Sequence, residues 1–567
     1  MDFLEQIIAV KDKALSTMKM LLLDFHSTLM AKEKIKISPT HPKKSKLQEG
    51  KTLLLVISFI EGGAVMATEL FSAKLVAPFF GASLYVWASV LGVTLGALAF
   101  GYLTGGYVSK KYKNEKILFW IFLLGGFFMF LMPFSSKWIM SLTFDLSVKL
   151  GSTVSLLVFM LPPLFFFAMM SPMIIKALTS QADASGKNAG LVYFISTVGG
   201  IVATYLTGFY LLPTFGIKVP AVIYGSAISI ISIILLLRKK DFIPMVIAVL
   251  MLLIYNADKG QKKRNDKFII RHESEGVLGQ LKVVEHMYPT VFRGWKLGRG
   301  LLVNHTCQTL MDVENPGYSL WDYAFFFPNA ASIYPKGSDV LLLGLGGGTL
   351  VKQYERLQFN LDVVELDERV TKLAIRYFDV NPATRIIVDD ARHYLNSTEK
   401  KYDIVTLDLF LSETPPSHVL TKESFERIKE ILKPGGMIMM NFYGFLSGEI
   451  GRASRSVYKT LEAAGYHTRL LANPAEMEMD RNLIFIASEE KLDFSKTDYA
   501  EPNLPVITDL EPYFIQTENM DFSDALILTD DLPVLEHLYI KAALEWKYYS
   551  NLSYTHNFVK DNLDLFK

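Results

Sequence analysis

The sequence predicts a polytopic α-helical membrane domain, followed by a small β subdomain and an α/β domain with a Rossmann-like sheet. Three observations carry this. Nearly unbroken apolar stretches crowd the region from Thr52 to Tyr255, whereas charged residues return at ordinary density from Lys259 onward. Short alternating runs occupy the stretch from Arg271 to Asp312. A buried strand then runs straight into a glycine loop and a helical stretch at Asp339–Leu350.

Runs able to cross a bilayer start near Thr52, Ser83, Ile117, Thr153, Ala189 and Ile217, each offering roughly the 17 to 25 apolar residues a spanning helix needs. A further run, Phe242 to Tyr255, is about 15 residues and falls short of a ~30 Å core at 1.5 Å per residue, so six or seven spans are expected. Trp138 to Val148, interrupted by Asp145, reads as amphipathic, and Pro162, Pro163 and Pro172 are expected to bend or end helices. Gly92 with Gly96, and Gly101 with Gly105, have the small-residue spacing of close helix contacts.

Basic residues gather before the first span (Lys43, Lys44, Lys46, Lys51), after the second (Lys110, Lys111, Lys113, Lys116) and after the sixth (Arg238, Lys239, Lys240). The charge rule puts those loops in the cytoplasm. Lys262, Lys263 and Arg264 follow the short run and favour its not crossing, which places the C-terminal half in the cytoplasm of a cell (inner) membrane protein. Glu61 and Glu69 lie within the first span, where a carboxylate is costly; Lys74 or a group on another helix is the expected partner, and a polar-substrate or headgroup site is the alternative. With a net charge of +1, nothing argues for nucleic acid, and the single Cys307 excludes an internal disulfide. No cleaved signal peptide is read at the N-terminus, because Asp24 and His26 interrupt the short apolar run Met20 to Leu23.

In the C-terminal half, strand Asp339–Leu343 leads into Gly344-Leu345-Gly346-Gly347-Gly348. Glycines there let the backbone close on a ligand, and the following helix start offers free N–H groups. The next strand ends in Glu365, about 20 residues on, where an acid takes ribose hydroxyls. Strand Ile386–Val388 ends in Asp389-Asp390-Ala391, a carboxylate placed for an adenine amino group, and strand Tyr402–Leu407 ends in Asp408, on the edge where such sheets do chemistry. Helix Lys422–Leu432 and strand Met437–Asn441 complete a nucleoside-binding sheet.

These motifs, with Val364-Glu365-Leu366-Asp367, Asp390-Ala391-Arg392 and Leu432-Lys433-Pro434-Gly435-Gly436, resemble the spermidine synthase family. Ser171-Pro172, Gly190 to Gly200 and Leu211-Leu212-Pro213 are similar to its integral-membrane branch. The resemblance implies a methyltransferase-type sheet and transfer of an aminopropyl group from decarboxylated S-adenosylmethionine (or use of S-adenosylmethionine itself) to a small-molecule amine such as putrescine, without a metal. It implies cofactor contacts at Gln280, Gly344, Gly346, Gly348, Glu365, Asp390 and Ala391. Gln308, Tyr323 and Asp408 fall on the amine side, and Asp408 is the proton acceptor. The lipid bilayer is a partner and pairing as a homodimer is expected.

Two acids of the family pattern are missing: the aspartate of the glycine loop stands as Gly347, and Asp408-Leu409-Phe410-Leu411-Ser412 lacks a second acid, with Glu413 a possible substitute. An S-adenosylmethionine-dependent methyltransferase or alkyltransferase with a membrane-associated acceptor is therefore the second reading. A transporter or sensor with a nucleoside-binding domain is the third. The domains are read as 1–51 (N-terminal segment), 52–257 (membrane), 268–335 (β subdomain), 336–490 (Rossmann-like) and 491–567 (C-terminal extension).

Overall fold

The computed structural model describes residues 46–80, 84–112, 114–143, 146, 148–179, 185–260, 268–276, 279–290, 294–304, 306–316, 318–410, 414–475, 478, 481–495, 497, 499, 509–518, 520–532, 534–543 and 545–546. Most of the expected N-terminal segment, Asp145, His305 and Glu413 lie outside the described residues.

Nine helices precede the first strand among the described residues: α1 (Lys46–Phe80), α2 (Leu84–Lys111), α3 (Glu115–Leu142), α4 (Val148–Phe159), α5 (Leu161–Leu178), α6 (Ser185–Leu206), α7 (Leu212–Phe215), α8 (Lys218–Arg238) and α9 (Pro244–Gly260). Six are long and apolar enough to cross a membrane, with stretches Gly50–Ala77, Tyr85–Lys111, Glu115–Ser136, Leu161–Leu178, Ser185–Leu211 and Lys218–Arg238. The fourth departs from expectation. Its chain breaks at Met160, leaving the short α4 and restarting α5 with proline in the first turn. A proline there lacks the N–H and sterically rejects the preceding turn, so the apolar run from Thr153 cannot remain one helix. Pro172, by contrast, stays inside α5 without ending it. Trp138 also lies within a continuing helix, 64% exposed near the end of α3.

Of the two expected glycine pairs, one works as close packing. A Cβ on Gly101 would stand 2.5 Å from that of Ala168, and one on Gly105 2.5 Å from the Met169 carbonyl, so α2 meets α5 backbone to backbone. At Gly92 and Gly96 a Cβ would meet open space.

The bundle has two distinguishable ends. At one, Lys239 Nζ pairs with Glu115 Oε2 at 2.7 Å and Trp120 Nε1 donates to Asp241 Oδ2 at 3.0 Å, among Lys110, Lys111, Lys116 and Arg238. At the other, Lys149 Nζ lies over the Tyr85 ring and Lys218 Nζ over the Phe134 ring. The C-terminal half meets this second end: Ile217 N–H donates to Glu275 Oε2 at 2.5 Å, and the Tyr85 hydroxyl bonds the His537 ring. Helix α9 starts just past Asp241 at the first end, whereas Glu275 of the first strand stands at the second.

The small subdomain is an antiparallel sheet, β1 (Phe268–Gly276), β2 (Gly279–Thr290), β3 (Gly294–Val303) and β4 (Thr306–Asp312), in the order β1-β2-β3-β4. The main sheet comprises β5 (Asp339–Leu343), β6 (Asn360–Glu365), β7 (Ile386–Val388), β8 (Tyr402–Leu407), β9 (Leu432–Gly444), β10 (His467–Leu471) and β11 (Arg481–Ser488), ordered β10-β11-β9-β8-β5-β6-β7. Strands β5 to β9 pair in parallel, whereas β11 is antiparallel to both β9 and β10. This is the Rossmann-like, methyltransferase-type sheet. Central β5 is buried on both faces: Leu341 and Leu343 join one core, Val340 and Leu342 the other. The helices that flank it include α11 (Thr349–Arg356), α12 (Glu368–Tyr377), α13 (Ala391–Ser397), α14 (Lys422–Ile431) and α15 (Arg452–Ala463), the last burying Ala453, Val457 and Leu461. Side chains at their starts fix the entry angles: Asp367 caps α12, Asp390 caps α13 and Thr421 caps α14. Residues past 490 pack back on the sheet; Phe494 and Phe514 enter one core, and Leu535 and Tyr539 the other.

Candidate active site

The parallel order reverses between β5 and β8, and the chemistry-bearing residues stand at the carboxyl edge around that point. Gly344, Gly346 and Gly348 have φ of +92°, +53° and +72°, values that L side chains rarely adopt. At Gly344 the close approach is the stronger constraint, since a Cβ would lie 2.1 Å from the Asp408 carbonyl oxygen. The loop can therefore press against the end of β8. The Asp408 N–H in turn donates to the Leu343 carbonyl at 2.9 Å.

Glu365, the last residue of β6, accepts from Leu345 N–H at 3.1 Å and Asp367 N–H at 2.9 Å, tying the glycine loop to the strand end. Burial pushes its carboxyl above the usual range, and those backbone donors oppose the rise. At Asp390, burial raises the carboxyl but is outweighed by the His393 N–H, the His418 ring and the Arg392 N–H, so it sits below the usual range. Its Oδ1 caps α13 and its Oδ2 meets His418 Nε2 at 3.2 Å. Ala391 is the buried first residue of that helix.

Asp408 follows β8 directly. Protein walls it on most sides, and the lost hydration pushes its carboxyl up, against a hydrogen bond from Asn441 Nδ2 to Oδ1 at 2.8 Å. Asn441 is itself oriented by Asn482, whose Nδ2 donates to its Oδ1 at 2.8 Å. Tyr323, in the turn Asp322–Phe325, stands beside Asn441, and burial, then the nearby Asp408 charge, hold its phenol well above the ordinary value. Asp408, Asn441 and Tyr323 form one cluster.

The two glutamines lie on the small sheet. Gln280, near the start of β2, donates through Nε2 to Glu273 Oε1 at 2.8 Å, and the adjoining Gly279 carbonyl accepts from Arg369 Nη2 just beyond β6. Gln308 is the extra residue of a bulge where Leu301 faces Thr309 but Leu302 faces Cys307. A bulge re-aims a side chain that regular alternation would direct elsewhere.

Thr309, Asn441, Asn482 and His418 were not expected as site residues. Thr309 decides the form of the glycine loop: its Oγ1 accepts from Gly347 N–H at 2.8 Å, and its Cγ2 would stand 2.6 Å from a Cβ on Gly347, with Phe378 Cδ1 at 2.9 Å. The missing loop acid is thus excluded by a filled space. The local sequence carries no signal of this, because Thr309 comes from another sheet.

Residues 329–443 match the spermine/spermidine synthase domain. The polyamine aminopropyltransferase of Vibrio vulnificus is 27% identical over 205 residues, covering 35% of this chain and 68% of that protein. An N-terminal histidine N-methyltransferase of Emericella nidulans is 31% identical over 116 residues, covering 20% of this chain and 21% of that one. Among solved structures, a probable spermidine synthase from Corynebacterium glutamicum aligns with a TM-score of 0.33 and 21% identity, covering 37% of this chain and 78% of that chain.

Proposed function

Since residues 329–443 belong to the spermine/spermidine synthase domain family, we propose that this chain is a membrane-embedded aminopropyltransferase. In this reading decarboxylated S-adenosylmethionine is the donor and a small amine such as putrescine the acceptor. The observation that carries the reading is the Asp408–Asn441–Tyr323 cluster, placed on the same sheet edge as Glu365 and Asp390.

The donor set fits an adenosine. Glu365 takes the ribose diol, Asp390 the adenine amino group, the glycine loop lies against the nucleoside, and Gln280 adjoins the β6 end. Gln308 and Tyr323 help hold the amine. An alkylamine is mostly protonated near neutral pH, so Asp408 first attracts the cation and then accepts its proton. The nitrogen lone pair forms a bond to the carbon beside the sulfonium as the carbon–sulfur bond breaks. Sulfur keeps the electron pair and leaves as methylthioadenosine. Asn441 holds the carboxylate in place, and the raised proton affinity of Asp408 suits a base.

Filling of the Gly347 position by Thr309 favours one second reading, methyl transfer from S-adenosylmethionine, because no loop acid grips the donor's amine end. Purified protein offered either donor with putrescine decides between them. Methylthioadenosine with an aminopropylated amine supports the first reading; S-adenosylhomocysteine replaces it with the second.

The chain is further inferred to be a multi-pass protein of the cell membrane, associated with a second copy as the resemblance implies. The sequence placed both the lysine loops and the transferase half in the cytoplasm. The two lie at opposite ends of the bundle. We therefore expect reporters fused near Lys113 and after Lys567 to read opposite compartments. The same compartment for both would mean that α9 does not cross.

A further inference from the structure

Glu61 lies well inside the apolar stretch Gly50–Ala77 of α1. At about 1.5 Å per residue it is ~16 Å from one end and ~24 Å from the other, inside a hydrocarbon core of ~30 Å. It is 2% exposed. Ser196 Oγ of α6 donates to its Oε2 at 3.1 Å, and Ser171 Oγ of α5 reaches the same oxygen at 3.5 Å. Oε1 receives no hydrogen bond among the described residues, and no Lys, Arg or His nitrogen among them comes within 4.0 Å of the carboxylate. The expected partner Lys74 lies instead in electrostatic range of Arg369 in the transferase half.

Packing makes this site deliberate in form. A Cβ on Gly62 would stand 1.9 Å from the Ser196 carbonyl oxygen, and one on Gly199 2.0 Å from that of Phe59. Two glycines thus bring α6 close enough for a serine hydroxyl to reach a carboxylate on α1. Both serines also sit on elements whose helical ladder is interrupted. Helix α5 restarts after the break at Met160, and α6 passes into a π turn at Thr207–Leu211. Such π turns within helices are frequent at functional sites.

Two serines give a carboxylate hydrogen bonds but no countercharge, and a buried anion without one is costly in hydrocarbon. A glutamine would satisfy the same serines with no charge at all. We propose that Glu61, Ser171 and Ser196 form a recognition site for an alkylammonium group, the chemical class that the transferase half uses as acceptor. An ammonium has three donors and no acceptor. Oε1 supplies the charge-paired acceptor, and the serine oxygens, which donate to Oε2, keep lone pairs for the remaining donors. The membrane half would then hold the same amine that the transferase half consumes. The choice of amine rests on the aminopropyltransferase reading; the existence of a cation site does not.

The test is equilibrium binding of radiolabelled putrescine to the full chain in lipid nanodiscs, with methylthioadenosine release read separately, so that failure of the transferase reading is recognised independently. Glu61→Gln keeps both serine contacts and is checked for an unchanged thermal midpoint. The expected result is one putrescine site weakened at least tenfold in E61Q and several-fold in Ser171→Ala or Ser196→Ala, with Na+ and K+ at equal ionic strength failing to compete. Unchanged putrescine binding in E61Q overturns the proposal. So does competition by Na+ or K+ as effective as that by putrescine, or carbodiimide labelling of Glu61 that depends on pH but not on amine; in the last case the site holds only a proton.

Discussion

The nucleoside end and the amine end of the transferase site are built from different materials. At the nucleoside end, Glu365 and Asp390 are strand-end carboxylates held mainly by backbone N–H groups, from the glycine loop and from the turns that follow them, with the His418 ring added at Asp390. At the amine end, Asp408 depends on side chains from elsewhere: Asn441 on β9, Asn482 behind it on β11, and Tyr323 from the turn before α10 (Phe326–Ala331). Backbone-held groups keep their geometry whatever the surrounding side chains become. Side-chain-held groups can be re-tuned by single substitutions.

Three experiments would break or sharpen that contrast. The largest effect is expected for Asp408→Asn, which removes the proton acceptor: kcat should fall by about 10²- to 10⁴-fold, with nucleoside affinity in equilibrium binding changed less than threefold. Full activity in this variant would remove Asp408 from the chemistry.

Gly347→Asp comes next. The new side chain must displace Thr309 and Phe378, so a loss of roughly 1–3 kcal/mol from overpacking is expected in thermal or denaturant unfolding, partly recovered by adding Thr309→Gly. Stability equal to the parent would show that the loop has room for the acid.

Asn441→Ala has the smallest expected effect, a several-fold loss of kcat/KM and a shift of its acidic limb. The carboxyl of Asp408 is already raised by burial, and the Asn441 bond opposes that rise. Activity needs the ionised form, so it falls as pH drops through the raised value. Removing Asn441 moves the limb to still higher pH. A limb that stays in place would mean that another group sets it.

How much of this was readable in advance follows the range of the interactions. The glycine loop, Glu365 and Asp408 each stand at a strand end marked by its own neighbours in sequence, because burial on both faces makes β5, β6 and β8 mostly apolar runs, while Asp390 follows the short apolar β7. The six long apolar helices were equally plain, since hydrocarbon demands length and apolarity of each segment independently. Contacts between segments left no such mark. Thr309 filling the place of a loop acid, Asn441 and Asn482 orienting Asp408, Gln308 at a bulge, and the serines around Glu61 all arise from chains that meet only after folding. The end of the bundle that receives the transferase half belongs with them. Residue composition reports each segment's solvent, while which segments become neighbours depends on packing the whole chain at once.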